Sequence, residues 1–231
     1  MIDFGGKTVF ILGDGPSAGR YKSLDKLRGR PIIALNAAIR RAPWAPYWAS
    51  SERLFWRDYA PTLCPDYEGV KLSPHKQPPE LRITTLPGHG FGYLDDSPIA
   101  GRQWRGTSDY YALQLAHYWR AAQIALLGID LVSTNTGAAG IFDKRRLELA
   151  WLCGELSGRG VKVFTLTRGG TLGLPYRPLA KIPPDIEESD NGLRGNHNQD
   201  PGGSRREVLG YDRRRNNRGW EDISSLRNRG R

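Results

Sequence analysis

A short apolar run that stops on a glycine turn is the feature that most limits how this chain can fold. Val9 to Leu12 is apolar and β-rich, and reads as a buried strand. It ends in Gly13-Asp14-Gly15-Pro16-Ser17. Glycines accept backbone angles that other residues resist and let another group approach the main chain closely. Pro16 suits a first helical turn, and Ser17 is placed to cap a following helix whose free N–H groups favour an anion. Strand, glycine turn and capped helix together make half of a mononucleotide-binding unit. The same residues also fit an ordinary strand-to-helix turn with no ligand. No third glycine completes a dinucleotide fingerprint, and no Gly-Lys-Ser/Thr makes a Walker loop.

Strand and helix patterns then alternate. A helix is expected over Ser17–Leu27, stopped by Gly29 and Pro31, and a strand over Ile32–Leu35 ending at Asn36. An Asn there lies where open α/β sheets bind ligands, although as a turn residue it needs none. Tyr47–Ala49 reads as a strand and Glu52–Tyr59 as a helix, within an aromatic cluster (Trp44, Tyr47, Trp48, Phe55, Trp56, Tyr59) expected to fill core rather than stack on bases. Further strands are expected at Val70–Leu72, Arg82–Leu86, Gln123–Leu127 and Val161–Leu166. A helix opens at Thr107-Ser108 and carries Ala112, Leu115, Ala116 and Trp119 at helical spacing; another covers Asp143–Leu156 after a loop over 131–142. Such alternation predicts a Rossmann-like α/β domain: a mostly parallel sheet with helices on both faces, over residues 1–180. Residues 181–231 are rich in Arg, Asn and Gly, and this C-terminal tail is expected to be disordered.

Charge has to be located before it is interpreted. The net charge is +10, and residues 181–231 hold 11 Lys/Arg and 9 Asp/Glu, so +8 of it belongs to residues 1–180. A basic surface suits nucleotides or nucleic acid, and is also common in proteins that bind neither. In the tail, Arg213-Arg214-Arg215, Arg218 and Trp220 could contact nucleic acid, while a solvated mixed-charge segment needs no partner. Cys64 and Cys153 have no metal-ligand spacing. No apolar run reaches membrane-spanning length and Met1-Ile2-Asp3 opens no signal peptide, so the expected location is cytoplasmic, in the host cell if the chain is phage-encoded.

Taken in order, Gly13-Asp14-Gly15-Pro16-Ser17, Leu35-Asn36, Thr107-Ser108 and Leu127-Gly128-Ile129-Asp130 resemble the layout of bacterial sialyltransferases. The related motility-accessory-factor and 6-hydroxymethylpterin pyrophosphokinase-like proteins share it. The stretch Asn36 to Ala45 is similar to one in small phage and prophage proteins. The resemblance spans roughly residues 7–170 and implies a nucleotide site made by Gly13, Asp14, Gly15, Pro16, Ser17, Asn36, Thr107, Ser108 and Asp130. The implied ligand is a nucleotide or nucleotide-sugar donor, and the implied activity is that of a glycosyltransferase.

Two departures from that pattern bear on chemistry. The family's catalytic His follows Gly-Ile-Asp, yet none lies between Asp130 and Val161. His117 sits inside a helix and reads as structural, which leaves His89, in the glycine loop Gly88–Gly92, as the candidate base. Where the family often has Gly after Thr-Ser, this chain has Asp109. Asp14 also sets a carboxylate beside the expected phosphate, a repulsion that metal or Arg must offset. Pyrophosphoryl transfer is an alternative needing Mg and a carboxylate set, with Asp14, Asp130 and Asp143 as candidates. A non-catalytic phage accessory protein that binds nucleic acid is a third reading.

Overall fold

Among the described residues seven strands lie in one parallel sheet, because the apolar runs are too continuous to leave either face in water. A computed structural model describes residues 2–22, 24–86, 107–131 and 139–183, with side chains from 142 onward in the last segment. The strands are β1 (Thr8–Leu12), β2 (Ile32–Leu35), β3 (Tyr47–Ala49), β4 (Val70–Ser73), β5 (Ile83–Thr85), β6 (Gln123–Leu127) and β7 (Lys162–Thr165). Their order is β5-β4-β3-β2-β1-β6-β7, and every pairing is parallel. The chain thus runs outward from β1 to β5, then returns to lay β6 on the other side of β1. That reversal is the switch point beside which open α/β sheets bind ligands.

β1 and β2 are buried along their whole length, which fits the centre of a doubly covered sheet. One face carries α4 (Ser108–Tyr118) and α5 (Ala139–Gly158), with Ile11, Leu115, Trp119, Leu152 and Leu156 in its core. The opposite face is covered by α1 (Pro16–Arg20), α2 (Phe55–Asp58), α3 (Ala60–Leu63) and short 3-10 turns around Phe10, Trp48 and Trp56. Trp48, Phe55 and Trp56 of the aromatic cluster are core, as expected, whereas Tyr59 is 58% exposed. Trp48 meets Phe55, Trp56 and Tyr67 edge-on at centroid distances of 5.8, 5.0 and 5.3 Å. The Tyr67 hydroxyl donates to the Ala45 carbonyl at 2.9 Å, so its polar end is satisfied.

Three helices differ from expectation. The Ser17–Leu27 helix is only α1 followed by a 3-10 turn at Leu24–Leu27, with Tyr21 already extended. Gly19 inside so short a segment weakens it. The Glu52–Tyr59 helix is only α2, Phe55–Asp58, and a separate turn, α3, begins beyond it at Ala60. Pro61 has no N–H to continue the ladder and its ring crowds the preceding turn. α5 begins at Ala139, four residues before the expected start.

The described core continues past residue 180, where the folded domain is expected to end. Ile182 is 3% exposed within the core beside β7, and Arg30 Nη1 donates to the Pro183 carbonyl at 3.3 Å. Met1–Glu187 forms one compact unit. Cutting the chain after Lys181 is therefore expected to lower stability by about 2–5 kcal/mol, the range for emptying an Ile-sized core position. A cut after Glu187 should leave the thermal melt unchanged. The rest of the tail, with Arg213–Arg215 and Trp220, and the loop Gly88–Gly92 with His89 lie outside the described residues.

Candidate functional site

Because the strands are parallel and in register, with Leu12 opposite both Ala34 and Leu127, their carboxyl ends share one edge. The segments leaving β1, β2, β3 and β6 enclose, with the start of α4 and part of α5, a cleft of about 450 Å³. That is within the usual range for a small-molecule site, roughly 300–1,000 Å³. Gly13, Asp14, Gly15, Pro16, Asn36, Thr107, Ser108 and Asp130 all line it. Ser17 lies behind it, 4% exposed.

Several of these residues are placed as expected but occupied otherwise. Ser17 is not the cap of α1; Gly15 holds that position and Pro16 follows it. The Ser17 N–H donates to Asp130 Oδ2 at 2.7 Å, and its hydroxyl accepts from the Gly128 N–H at 3.2 Å. The N–H groups of Gly13 and Gly15 donate to the carbonyls of Leu127 and Gly128 at 2.8 and 3.0 Å. The donors expected to cradle a phosphate are thus used to seam the β1 turn to the β6 turn, and Asp130 already supplies the anion. The glycines have the same cause. A Cβ on Gly15 would stand 2.6 Å from both Asp130 Oδ2 and the Gly128 carbonyl oxygen.

Ser108 is likewise committed. Its hydroxyl donates to Asn36 Oδ1 at 3.0 Å and accepts from the Ser51 N–H at 3.0 Å. The Ser51 hydroxyl, 3.2 Å away, is then left to donate to it. Both serines are buried, at 3% and 4% exposure. Asn36 has φ 47°, a left-handed angle that Asn tolerates better than most residues. Its carbonyl accepts from Trp48 Nε1 at 2.9 Å, and its amide Nδ2 donates to Glu52 Oε1 at 3.3 Å. Thr107 occupies the N-cap position of α4 in extended geometry, without a side-chain cap bond.

Two charged lining residues went unsuspected as cleft groups. Arg145, on α5, directs Nε and Nη2 at Asp109 Oδ2, at 3.0 and 2.5 Å. Asp109 is buried to 3% side-chain exposure while Arg145 keeps 29%. The carboxylate after Ser108 is therefore a buried counter-charge to a cation that still faces the cleft. Glu52, exposed after β3, is the other. Among the described lining residues the acids are Asp14, Glu52, Asp109 and Asp130, against Arg145 as cation. The walls are acidic although the chain is basic, so the net charge does not describe this site. Lys26 and Arg30 line a different groove, with Tyr21 and Tyr176.

The other candidates fall away from the cleft. Asp143 pairs with Arg146 at 2.9 Å and does not line it, and no cluster of three His, Cys, Asp or Glu among the described residues could hold a metal. Asp14, Asp130 and Asp143 thus do not form the carboxylate set that Mg would require. His117 is half-buried near the end of α4, and burial first, then Arg159, pushes its imidazole below the usual range. Burial raises the Cys153 thiol to about 12, with Asp109 adding to the effect, and also raises Cys64. Neither sulfur is an activated nucleophile. No helix among the described residues is long and apolar enough to cross a membrane.

No protein-family model matches the chain, and no curated protein sequence matches it. Solved structures of the sialyltransferase CstII from Campylobacter jejuni are similar to it. The complex with the substrate analogue CMP-3FNeuAc has 18% sequence identity and a TM-score of 0.48, covering 74% of this chain and 86% of that one. The complex with cytidine-5'-monophosphate also has 18% identity, with a TM-score of 0.45 and coverage of 73% and 84%.

Proposed function

We propose that the cleft binds a nucleotide-sugar and that the chain transfers the glycosyl group from it. The observation that carries this reading is the convergence of four strand ends and the start of α4 on one 450 Å³ cleft at the switch point of a parallel sheet. The lining is chemically divided. Arg145 offers a cation with guanidinium donors beyond the two spent on Asp109, which suits a phosphate or carboxylate. Asp14 and Asn36 offer acceptors and an amide, which suit sugar and ribose hydroxyls. The donor anion therefore belongs near Arg145 and the opening of α4, because the backbone N–H groups of Gly13, Gly15 and Ser17 in the β1 turn are already spent.

A nucleotide or nucleotide-sugar that binds the folded chain should raise its melting temperature. At a ligand concentration 100 times Kd the stabilisation is about 2.7 kcal/mol. A thermal-shift panel of nucleoside mono- and diphosphates and their activated sugars tests the reading, and no shift with any of them would remove it. Nucleic-acid binding would instead be expected at the Lys26, Arg30, Tyr21 and Tyr176 groove, and would weaken steeply as salt rises.

A further inference from the structure

We infer that Glu52 is the general base of the cleft, the group that takes the proton from the acceptor hydroxyl. The inference rests on the glycosyl-transfer reading above and assigns to it a residue outside the nucleotide-binding set.

The four acidic side chains described in the cleft are not equivalent. Asp109 is buried and held by Arg145. Asp130 is fastened to the Ser17 N–H. Asp14 is exposed and no residue among those described orients it by a hydrogen bond. Glu52 alone is both exposed to the cleft and aimed by a partner, the Asn36 amide. That amide is itself locked. Its Oδ1 accepts from the buried Ser108 hydroxyl, which the Ser51 N–H fixes in turn, and its backbone is pinned to Trp48 in a left-handed conformation.

A buried polar chain that ends in one solvent-facing carboxylate has the arrangement of a base and its orienting groups. Nδ2 donates to Oε1 and leaves Oε2 able to accept a proton. Strained non-glycine backbone angles concentrate at functional sites, and Asn36 and Leu131, at φ 47° each, both line this cleft. In the step itself the acceptor oxygen bonds to the anomeric carbon as its proton passes to the Glu52 carboxylate. The bond from that carbon to the donor phosphate oxygen breaks, and its electron pair leaves with the nucleotide. The proton then returns to solvent.

The test uses the full chain and its Glu52→Gln variant with a panel of CMP-, UDP- and GDP-activated sugars, water serving as acceptor. Nucleotide release is followed by chromatography and donor affinity by calorimetry. Gln keeps the acceptor oxygen for Asn36, so the melt should be unchanged. The expected result is donor affinity within about threefold of the native chain, with kcat reduced about 10²–10⁴-fold, the usual contribution of a general base. Equal kcat in the two proteins would overturn the assignment. So would a native chain that binds a donor but never cleaves it, while leaving the binding reading intact. No binding of any donor would remove both.

Discussion

Gly128→Ala is expected to lower the stability of the chain by about 2–5 kcal/mol, read from urea melts. Two penalties combine. Gly128 has φ +74°, a left-handed angle that costs a residue with a Cβ roughly 1–2 kcal/mol. Its Cβ would also stand 2.8 Å from the Ala18 Cβ and 2.9 Å from the Gly13 carbonyl carbon, a forced overpacking worth about 1–3 kcal/mol. Gly160→Ala provides the control, since Gly160 has φ +85° with nothing within 4 Å of the added atom. It should lose only the backbone part. Gly13→Ala carries no such angle but would press on Ile129 Cδ1 at 2.7 Å and on Gly128 itself, so it should lose the packing part. If Gly13→Ala melted like the native chain and lost only ligand affinity, the glycine would serve a ligand instead of the seam between the β1 and β6 turns.

That seam marks where sequence reasoning reached its limit. β2, β3 and β6 fall at their expected residues because each is a short apolar run with a distinct stop, information contained within a few consecutive positions. The convergence of Gly13, Asn36 and Ser108 on one edge follows from the alternation of strands and helices, and it was legible for the same reason. What each of those residues bonds to was not. Ser17 meets Asp130 across 113 positions, and Ser108 meets Asn36 across 72. Local patterns carry no trace of such pairs, so the Ser17 N–H and the Ser108 hydroxyl, which read as open donors, are in fact closed ones. Glu52 and Arg145 were hidden likewise, each looking like an ordinary surface charge on a polar stretch. One signal was available for Arg145. Asp109 follows Ser108 at the head of a helix buried from Ser108 to Ala116, and a carboxylate there requires a counter-charge from elsewhere in the chain.

The pair formed by that requirement should behave asymmetrically when it is broken. Arg145→Ala strands a carboxylate of 3% side-chain exposure, and losing one partner of a buried pair costs about 3–5 kcal/mol. Asp109→Asn keeps the shape and leaves a guanidinium with 29% exposure that the cleft can still solvate, so its cost should be nearer 1–2 kcal/mol, as for a lost hydrogen bond. Removing both charges in Asp109→Asn/Arg145→Gln should be less destabilising than the sum of the single changes, and a double-mutant cycle in urea reads that coupling. Ligand affinity should move differently from stability. If Arg145 meets the donor anion, Arg145→Gln is expected to weaken nucleotide binding about 10-fold or more, the loss of a charged hydrogen bond. Asp109→Asn removes the carboxylate that competes for the same guanidinium, so it should bind the nucleotide at least as tightly as the native chain despite its weaker fold. Parallel losses of affinity in the two variants would mean that the pair only shapes the cleft. Opposite effects would identify Arg145 as the residue that holds the anion.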